Sequence, residues 1–215
     1  MVELERAVIF ANGEIQDYPA VRRLLQPGDF RVAADGGLRH LQALHLQPHL
    51  LIGDLDSVAA QDVAALQSAG VEVRRFPVEK NETDLELALL AAAAAGCRIL
   101  RVAGGLGGRL DQTLGNLSLL MLPGLEDLDL RLDDGREEVI LVRRQVSLAG
   151  RPGDVVSLLP FNGPAAGVAT EGLYYRLEGE TRYPEHTRGI SNVMLGERAT
   201  VSLEKGLLLC IHTRT

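Results

Sequence analysis

Short runs of Val, Ile, Leu and Ala alternate with helical patterns through the first half of the chain. The strand-like runs are residues 7–11, 31–34, 50–52, 71–76 and 99–103; the helical patterns are 18–25, 37–45, 59–69, 84–95 and 111–122. Apolar strands separated by amphipathic helices specify a parallel sheet covered on both faces. Right-handed crossovers follow from the chirality of the chain. The first half is therefore expected to form a doubly wound α/β domain with a mostly parallel sheet.

After Pro123-Gly124 the texture changes. Alternating segments fall at 128–132, 139–142, 155–160, 167–169, 199–203 and 207–212, separated by turn signals such as Asp133-Asp134-Gly135, Asn162-Gly163-Pro164 and Lys205-Gly206. Short strands with Gly and Pro turns and no long helix indicate an antiparallel, sandwich-like β domain. The expected division is 1–125 for the α/β part and 126–215 for the β part, although a hairpin around Asp134 would extend the first sheet.

The formal net charge of −7 argues against a general nucleic-acid binder, which carries a basic face. No apolar stretch is long enough to span a bilayer, and the first residues lack the basic-then-apolar order of a secretion signal. Cys97 and Cys210 stand far apart without a CxxC or a His/Cys cluster, so buried thiols are expected, not a disulfide or zinc site. A cytoplasmic protein is the expected outcome.

Three acidic stations precede one Gly-Arg loop: Ala34-Asp35-Gly36-Gly37, Gly53-Asp54-Leu55-Asp56-Ser57, Asn81-Glu82-Thr83-Asp84, then Gly104-Gly105-Leu106-Gly107-Gly108-Arg109-Leu110-Asp111-Gln112. They lie at strand ends or helix starts, which gather along one edge of an open α/β sheet, where ligands bind. Asp54 and Asp56 suit Mg²⁺, which takes one or two carboxylates together with waters and phosphate oxygens. The ordinary alternative is a turn in which Asp56 or Ser57 caps the next helix. Thr83-Asp84-Leu85-Glu86 fits a capping box, a role compatible with Asp84 facing a metal. Gly36 and Gly37 let a ligand approach the backbone at a helix start, or simply make a tight turn. The Gly104–Gln112 loop is neither a Walker A nor a GxGxxG motif. Gly104 and Gly105 shape its backbone, and Arg109 is placed to fork onto phosphate oxygens. Gln112 and Asn116 share a helix face. Together these features point to an Mg-nucleotide enzyme.

In the second half, Thr170-Glu171-Gly172-Leu173-Tyr174-Tyr175 and Arg188-Gly189-Ile190-Ser191-Asn192 are polar islands among strand-like segments. In a chain with no Trp, a Tyr-Tyr pair reads either as core or as a platform for a flat, especially cationic, ring. Ser191 and Asn192 are candidates to orient that ring by hydrogen bonds.

In order and spacing these motifs resemble the thiamine pyrophosphokinase family over nearly the whole chain. The resemblance implies transfer of the diphosphate of ATP to the hydroxyl of thiamine, giving thiamine diphosphate and AMP. It implies Mg²⁺ on Asp54, Asp56 and Asp84, with Asp35 and Asp111 nearby, and catalysis by these acids and Arg109. It assigns ATP to Asp35, Gly36, Gly37, Gly104, Gly105 and Arg109, and thiamine to Gln112, Tyr175, Ser191 and Asn192. It also implies a homodimer whose active sites lie between the catalytic domain of one subunit and the β domain of the other. Glu171 and Val193 depart from the familiar pattern and bear on substrate detail. The rivals are a diphosphokinase for a hydroxymethylpterin and a non-catalytic nucleotide or thiamine sensor. The intact set of acids and Arg109 argues against the sensor.

Overall fold

A computed structural model describes residues 4–215. Two compact units divide the chain, the first ending at Gly135 and the second running from Arg136 to Thr215.

The first unit runs β1 (Arg6–Phe10), α1 (Tyr18–Leu24), β2 (Phe30–Ala34), a 3₁₀ turn (Asp35–Gly37), α2 (Leu38–Ala43), β3 (Leu50–Gly53), α3 (Ala60–Ser68), β4 (Glu72–Arg75), α4 (Asp84–Ala94), β5 (Ile99–Ala103), α5 (Leu110–Ser118), a second 3₁₀ turn (Leu119–Met121) and β6 (Asp129–Asp133). The strands lie in the order β6-β5-β1-β2-β3-β4, every pair parallel. Val8, Phe10, Ala33 and Leu51 on one face pack with Val21 of α1, Leu38 and Leu41 of α2, and Val63 and Leu66 of α3. The buried Leu85, Ala88, Leu89 and Ala92 place α4 against the sheet, and its alanines permit a close approach. The doubly wound sheet expected from the sequence is what forms.

Two details differ from expectation. Residues 126–135 belong to the first unit, because β6 pairs in parallel with β5 and extends the sheet. The helix expected over 111–122 is shorter, ending at Ser118, and none of its residues is buried. Leu110 and Leu114, four apart on α5, are exposed.

The second unit runs β7 (Glu137–Val142), β8 (Gln145–Ala149), β9 (Val155–Pro160), β10 (Ala165–Glu171), β11 (Glu178–Arg182), β12 (Asn192–Val193), β13 (Arg198–Ser202) and β14 (Leu208–Thr213). Its strands form two antiparallel groups, β12-β9-β14-β7 and β11-β10-β13-β8. Ile140, Val142, Val156, Leu158, Leu208 and Cys210 of the first group bury against Leu148, Val168 and Val201 of the second. This is the expected sandwich. The strands missing from the sequence reading, β8, β11 and β12, all sit at sheet edges. Edge strands bury little on either face, so Glu178–Arg182 shows no apolar alternation to read.

A buried polar network closes this unit. Asp154 Oδ2 accepts from the Arg151 amide at 2.9 Å and lies 3.0 Å from His212 Nε2, while its Oδ1 accepts from the Thr215 amide at 3.0 Å. Burial alone raises the Asp154 pKa, but the two amides and His212 outweigh it and hold it at about 2. His212, fully buried, is opposed by its own burial yet raised above 6.5 by Glu138 and Asp154. A raised histidine pKa contributes stability that is complete below the unfolded value and fades as pH rises through the folded one. A depressed Asp154 contributes above its ordinary 3.8 and is lost as pH falls toward about 2. Thermal stability is therefore expected to be greatest between about pH 4 and 6.5 as far as this network acts. A melting series should show the midpoint falling above that window, and His212→Gln should flatten the alkaline limb. An alkaline limb of equal slope in the variant would contradict the assignment.

Among the described residues no helix is long and apolar enough to cross a membrane.

Candidate active site

The strand order reverses at β1, with β2 on one side and β5 on the other, so the loops after β1 and β5 flank a crevice at the carboxyl edge of the sheet. A cavity of about 670 Å³ opens there. Asp35, Asp54, Asp56, Asp84, Arg109 and Gln112 all line it.

Three of the acids converge. Asp35 follows β2, Asp54 follows β3, and Asp84 opens α4, where Thr83 caps by accepting from the Glu86 amide at 3.2 Å. Ligand oxygens of Asp35, Asp54 and Asp84 lie within 4.8 Å of one another. Gly53 makes this possible: its φ is +145°, and a Cβ there would stand 3.0 Å from the Asp84 carboxyl and 3.1 Å from Asp35 Cβ. Asp35 itself sits at φ +43° and Leu55 at +64°, uncommon values for non-glycine residues that fold the two loops inward. Asp56 faces the same cavity but lies outside this trio, its carboxylate accepting from the Ser57 hydroxyl at 3.0 Å. Of the expected Asp54, Asp56 and Asp84, the first and last converge with Asp35, and Asp56 lines the cavity beside them.

Lys80, which the sequence reading passed over, completes the cluster. Its Nζ donates to Asp54 Oδ2 at 3.1 Å and stands 3.0 Å from Asp84 Oδ1. The one ammonium is thus shared between the two carboxylates. The Asp56 amide, then Lys80, lowers the pKa of Asp54. Burial raises that of Asp84, only partly offset by Lys80, with the charges of Asp54 and Asp35 adding to the rise. The one clue in the sequence was the spacing of Lys80 and Asp84, four residues apart around a cap.

The glycines divide into two kinds. A Cβ on Gly37 would lie 1.9 Å from the Phe10 carbonyl oxygen, and one on Gly36 would run into the Asn12 side chain at 2.4 Å. Gly104 and Gly105 meet Ala11 O and Val102 Cγ1 in the same way, at 2.5 and 3.1 Å. These four are glycines because other protein atoms occupy the space, and Gly36, Gly37 and Gly105 do not line the cavity. Gly107 and Gly108, with φ of +79° and +81°, do line it, and nothing stands within 4 Å of a Cβ on Gly108. Gly104 lines the cavity as well, so its backbone and the 107–108 turn are both open to a ligand there.

Arg109 lines the cavity and grips Asp111 through two bonds, Nε to Oδ1 at 3.1 Å and a terminal nitrogen to Oδ2 at 2.6 Å. Both side chains are exposed. Asp111, accepting also from the Gln112 amide, is lowered in pKa by Arg109 first and by that amide second. Asn116 braces the loop by donating to the Gly105 carbonyl at 2.9 Å. Arg39 donates to the carbonyls of Asn12 and Gly13, fixing the loop after β1.

In the second unit a separate groove of about 540 Å³ is lined by Leu158, Tyr174, Tyr175, Arg188, Ile190 and Asn192 among others. Tyr174 and Tyr175 are 65% and 64% exposed, which rules out a core role, and their rings meet edge to face at 4.9 Å. Asn192 is buried and clasps the backbone of Tyr175: Oδ1 accepts from its amide at 2.9 Å and Nδ2 donates to its carbonyl at 2.7 Å. Asn192 therefore positions the tyrosine, and it also lines the groove, where one N–H of its amide remains beyond the bond to Tyr175. Ser191, at φ +60°, is held by its amide on Ser157 Oγ at 3.0 Å.

The fold and these two sites define a class: an α/β enzyme unit with an acidic, phosphate-suited cavity, joined to a β-sandwich with an aromatic groove. Residues 21–131 match the family described as thiamin pyrophosphokinase, catalytic domain, and residues 139–208 match thiamin pyrophosphokinase, vitamin B1 binding domain. The chain belongs to the thiamin pyrophosphokinase family. Thiamine pyrophosphokinase of Bacillus subtilis is 27% identical over 192 residues, covering 85% of this chain and 86% of that protein. The crystal structure of the Bacillus subtilis enzyme superposes with a TM-score of 0.86 at 25% identity, covering 98% of this chain and 99% of that one. That of Geobacillus thermodenitrificans gives 0.83 at 27% identity, with 97% of each chain covered.

Proposed function

We propose that this chain is a thiamine diphosphokinase that transfers the diphosphate of ATP to the hydroxyl of thiamine, releasing AMP. The observation that carries the reading is the convergence of Asp35, Asp54 and Asp84 within 4.8 Å beside Arg109 and the open 107–108 turn. Three carboxylates whose oxygens converge, two of them already drawn onto one ammonium, fit a cation site, and oxygen donors of this kind suit Mg²⁺. Asp54 and Asp84 would hold the ion directly, and Asp56, facing the same cavity, through water. When bound, Mg²⁺ supplies charge neutralisation on the transferred oxygens.

The protein's own groups do the rest. Arg109 forks onto phosphate oxygens once it exchanges its exposed partner Asp111 for them. Asp111 is best read as holding Arg109 in place until the phosphate arrives, through bonds of 3.1 and 2.6 Å. Asp35, whose one acceptor contact is a long 3.4 Å from the Ser57 amide, is the better acceptor for the hydroxyl proton. Among the described residues no Ser-His or Cys-His pair lines the cavity, which favours direct in-line transfer over a covalent enzyme intermediate. Gln112, which lines this cavity and not the tyrosine groove, is proposed to meet the substrate's hydroxyl end. The cationic ring of thiamine is proposed to stack on Tyr175. The neighbouring Arg176 and Arg188 are offset by Glu178 and Glu180, each at 3.4 Å.

Tyr175→Ala should raise the thiamine KM by a factor of about 5 to 30, equivalent to about 1–2 kcal/mol of cation–π stacking, with ATP KM unchanged. An unchanged thiamine KM would remove Tyr175 from the site. The protein is further proposed to work in the cytoplasm as a homodimer, a state supported by the exposed Leu110 and Leu114 on α5. A monomer with full activity in light scattering at working concentration would contradict it.

A further inference from the structure

Three carboxylates that share 4.8 Å of space repel one another, and something must offset that repulsion before any metal arrives. Asp35 is buried and Asp54 and Asp84 are half-buried, so solvent screening is incomplete. Among the described residues the cation paired with this cluster is Lys80. Its side chain is 11% exposed, and its ammonium sits between Asp54 and Asp84 at 3.1 and 3.0 Å, with a third contact to the Pro77 carbonyl at 3.3 Å. The other cavity cations are engaged elsewhere: Arg39 on the carbonyls of Asn12 and Gly13, Arg109 on Asp111. Lys80 thus stands where a divalent ion held by Asp54 and Asp84 would stand. An ammonium and a divalent ion drawn to the same two carboxylates repel each other.

We propose that Lys80 is an internal counter-cation that holds the Asp35–Asp54–Asp84 cluster together in the metal-free protein and yields its place to the divalent ion. The inference rests on the reading of Asp54 and Asp84 as metal ligands. Lys80 is then a positioning residue that sets how tightly the metal is held, and its flexible four-carbon stem lets the ammonium swing aside.

Mn²⁺ titration followed by electron paramagnetic resonance, on the full chain without nucleotide, separates the possibilities. Lys80→Met should bind Mn²⁺ at least about fivefold more tightly than the wild type, a conservative figure beside the roughly 30-fold that removing one unit charge about 4 Å from a divalent ion gives in water. The same variant should melt at lower temperature in EDTA and regain the difference with saturating Mg²⁺. Lys80→Gln should behave alike and serves if the Met variant does not fold. Equal or weaker Mn²⁺ binding in both variants, with Mn²⁺ binding still abolished by Asp84→Asn, would overturn the role of Lys80 alone. Mn²⁺ binding indifferent to both Asp54→Asn and Asp84→Asn would overturn the metal site itself, and the role of Lys80 with it.

Discussion

Asp54→Asn and Asp84→Asn are each expected to lower turnover on the order of 10²-fold or more, with the fold retained. Each change removes an anionic oxygen from the trio while keeping side-chain size, so no packing is lost. The effects should fall on kcat at saturating ATP and thiamine, because the charge the cluster helps neutralise is greatest in the transition state. Asp84→Asn should also leave the protein no less stable. Asp84 is a partly buried carboxylate whose charged form burial disfavours, so neutralising it offsets the loss of the Lys80 ion pair. Steady-state kinetics with Mg²⁺ in excess, set beside urea denaturation, checks both statements. Near-normal turnover in both variants would assign the loops to turn structure.

The second large effect is structural. Gly37→Ala is expected to destabilise the first unit by at least about 3 kcal/mol, the upper range for overpacking. The added Cβ would lie 1.9 Å from the Phe10 carbonyl oxygen and 2.5 Å from its carbon, both backbone atoms of a central strand. A flexible side chain could move aside, but β1 is hydrogen-bonded in register to both β2 and β5 and has no freedom to shift. The same displacement would move Asp35, two residues earlier, so activity should fall with stability. An unchanged urea midpoint would mean that the strand yields at little cost.

Much of this was legible in the chain because the first unit repeats one physical pattern. Strands such as Leu50–Gly53 are buried throughout and flanked by helices with an apolar stripe, so their type and order could be read directly. The strand ends then located Asp35, Asp54 and Arg109 on one edge. Finer positions depended on backbone geometry that residue spacing does not encode. Asp54 and Asp56, two apart, would point the same way on an extended chain, but the left-handed Leu55 between them breaks that relation, and Asp35 joins the trio from the end of the neighbouring strand. Gly36 and Gly37 looked like a ligand cradle and instead give room to Asn12 and Phe10, partners some 24 to 27 residues away in sequence. Asn192 looked like a ligand donor, and a contact across 17 residues shows it holding Tyr175. Lys80 was unremarkable as one lysine among the polar residues of 79–82 until the fold placed it between two acids.

The central claim is diphosphate transfer, and the fate of the β-phosphorus tests it most directly. ATP labelled at the β-phosphorus, incubated with thiamine, Mg²⁺ and the protein, should yield labelled thiamine diphosphate and unlabelled AMP in equal amounts. Thiamine-dependent formation of labelled ADP and an unlabelled thiamine monophosphate would show attack at the γ-phosphorus and contradict the account.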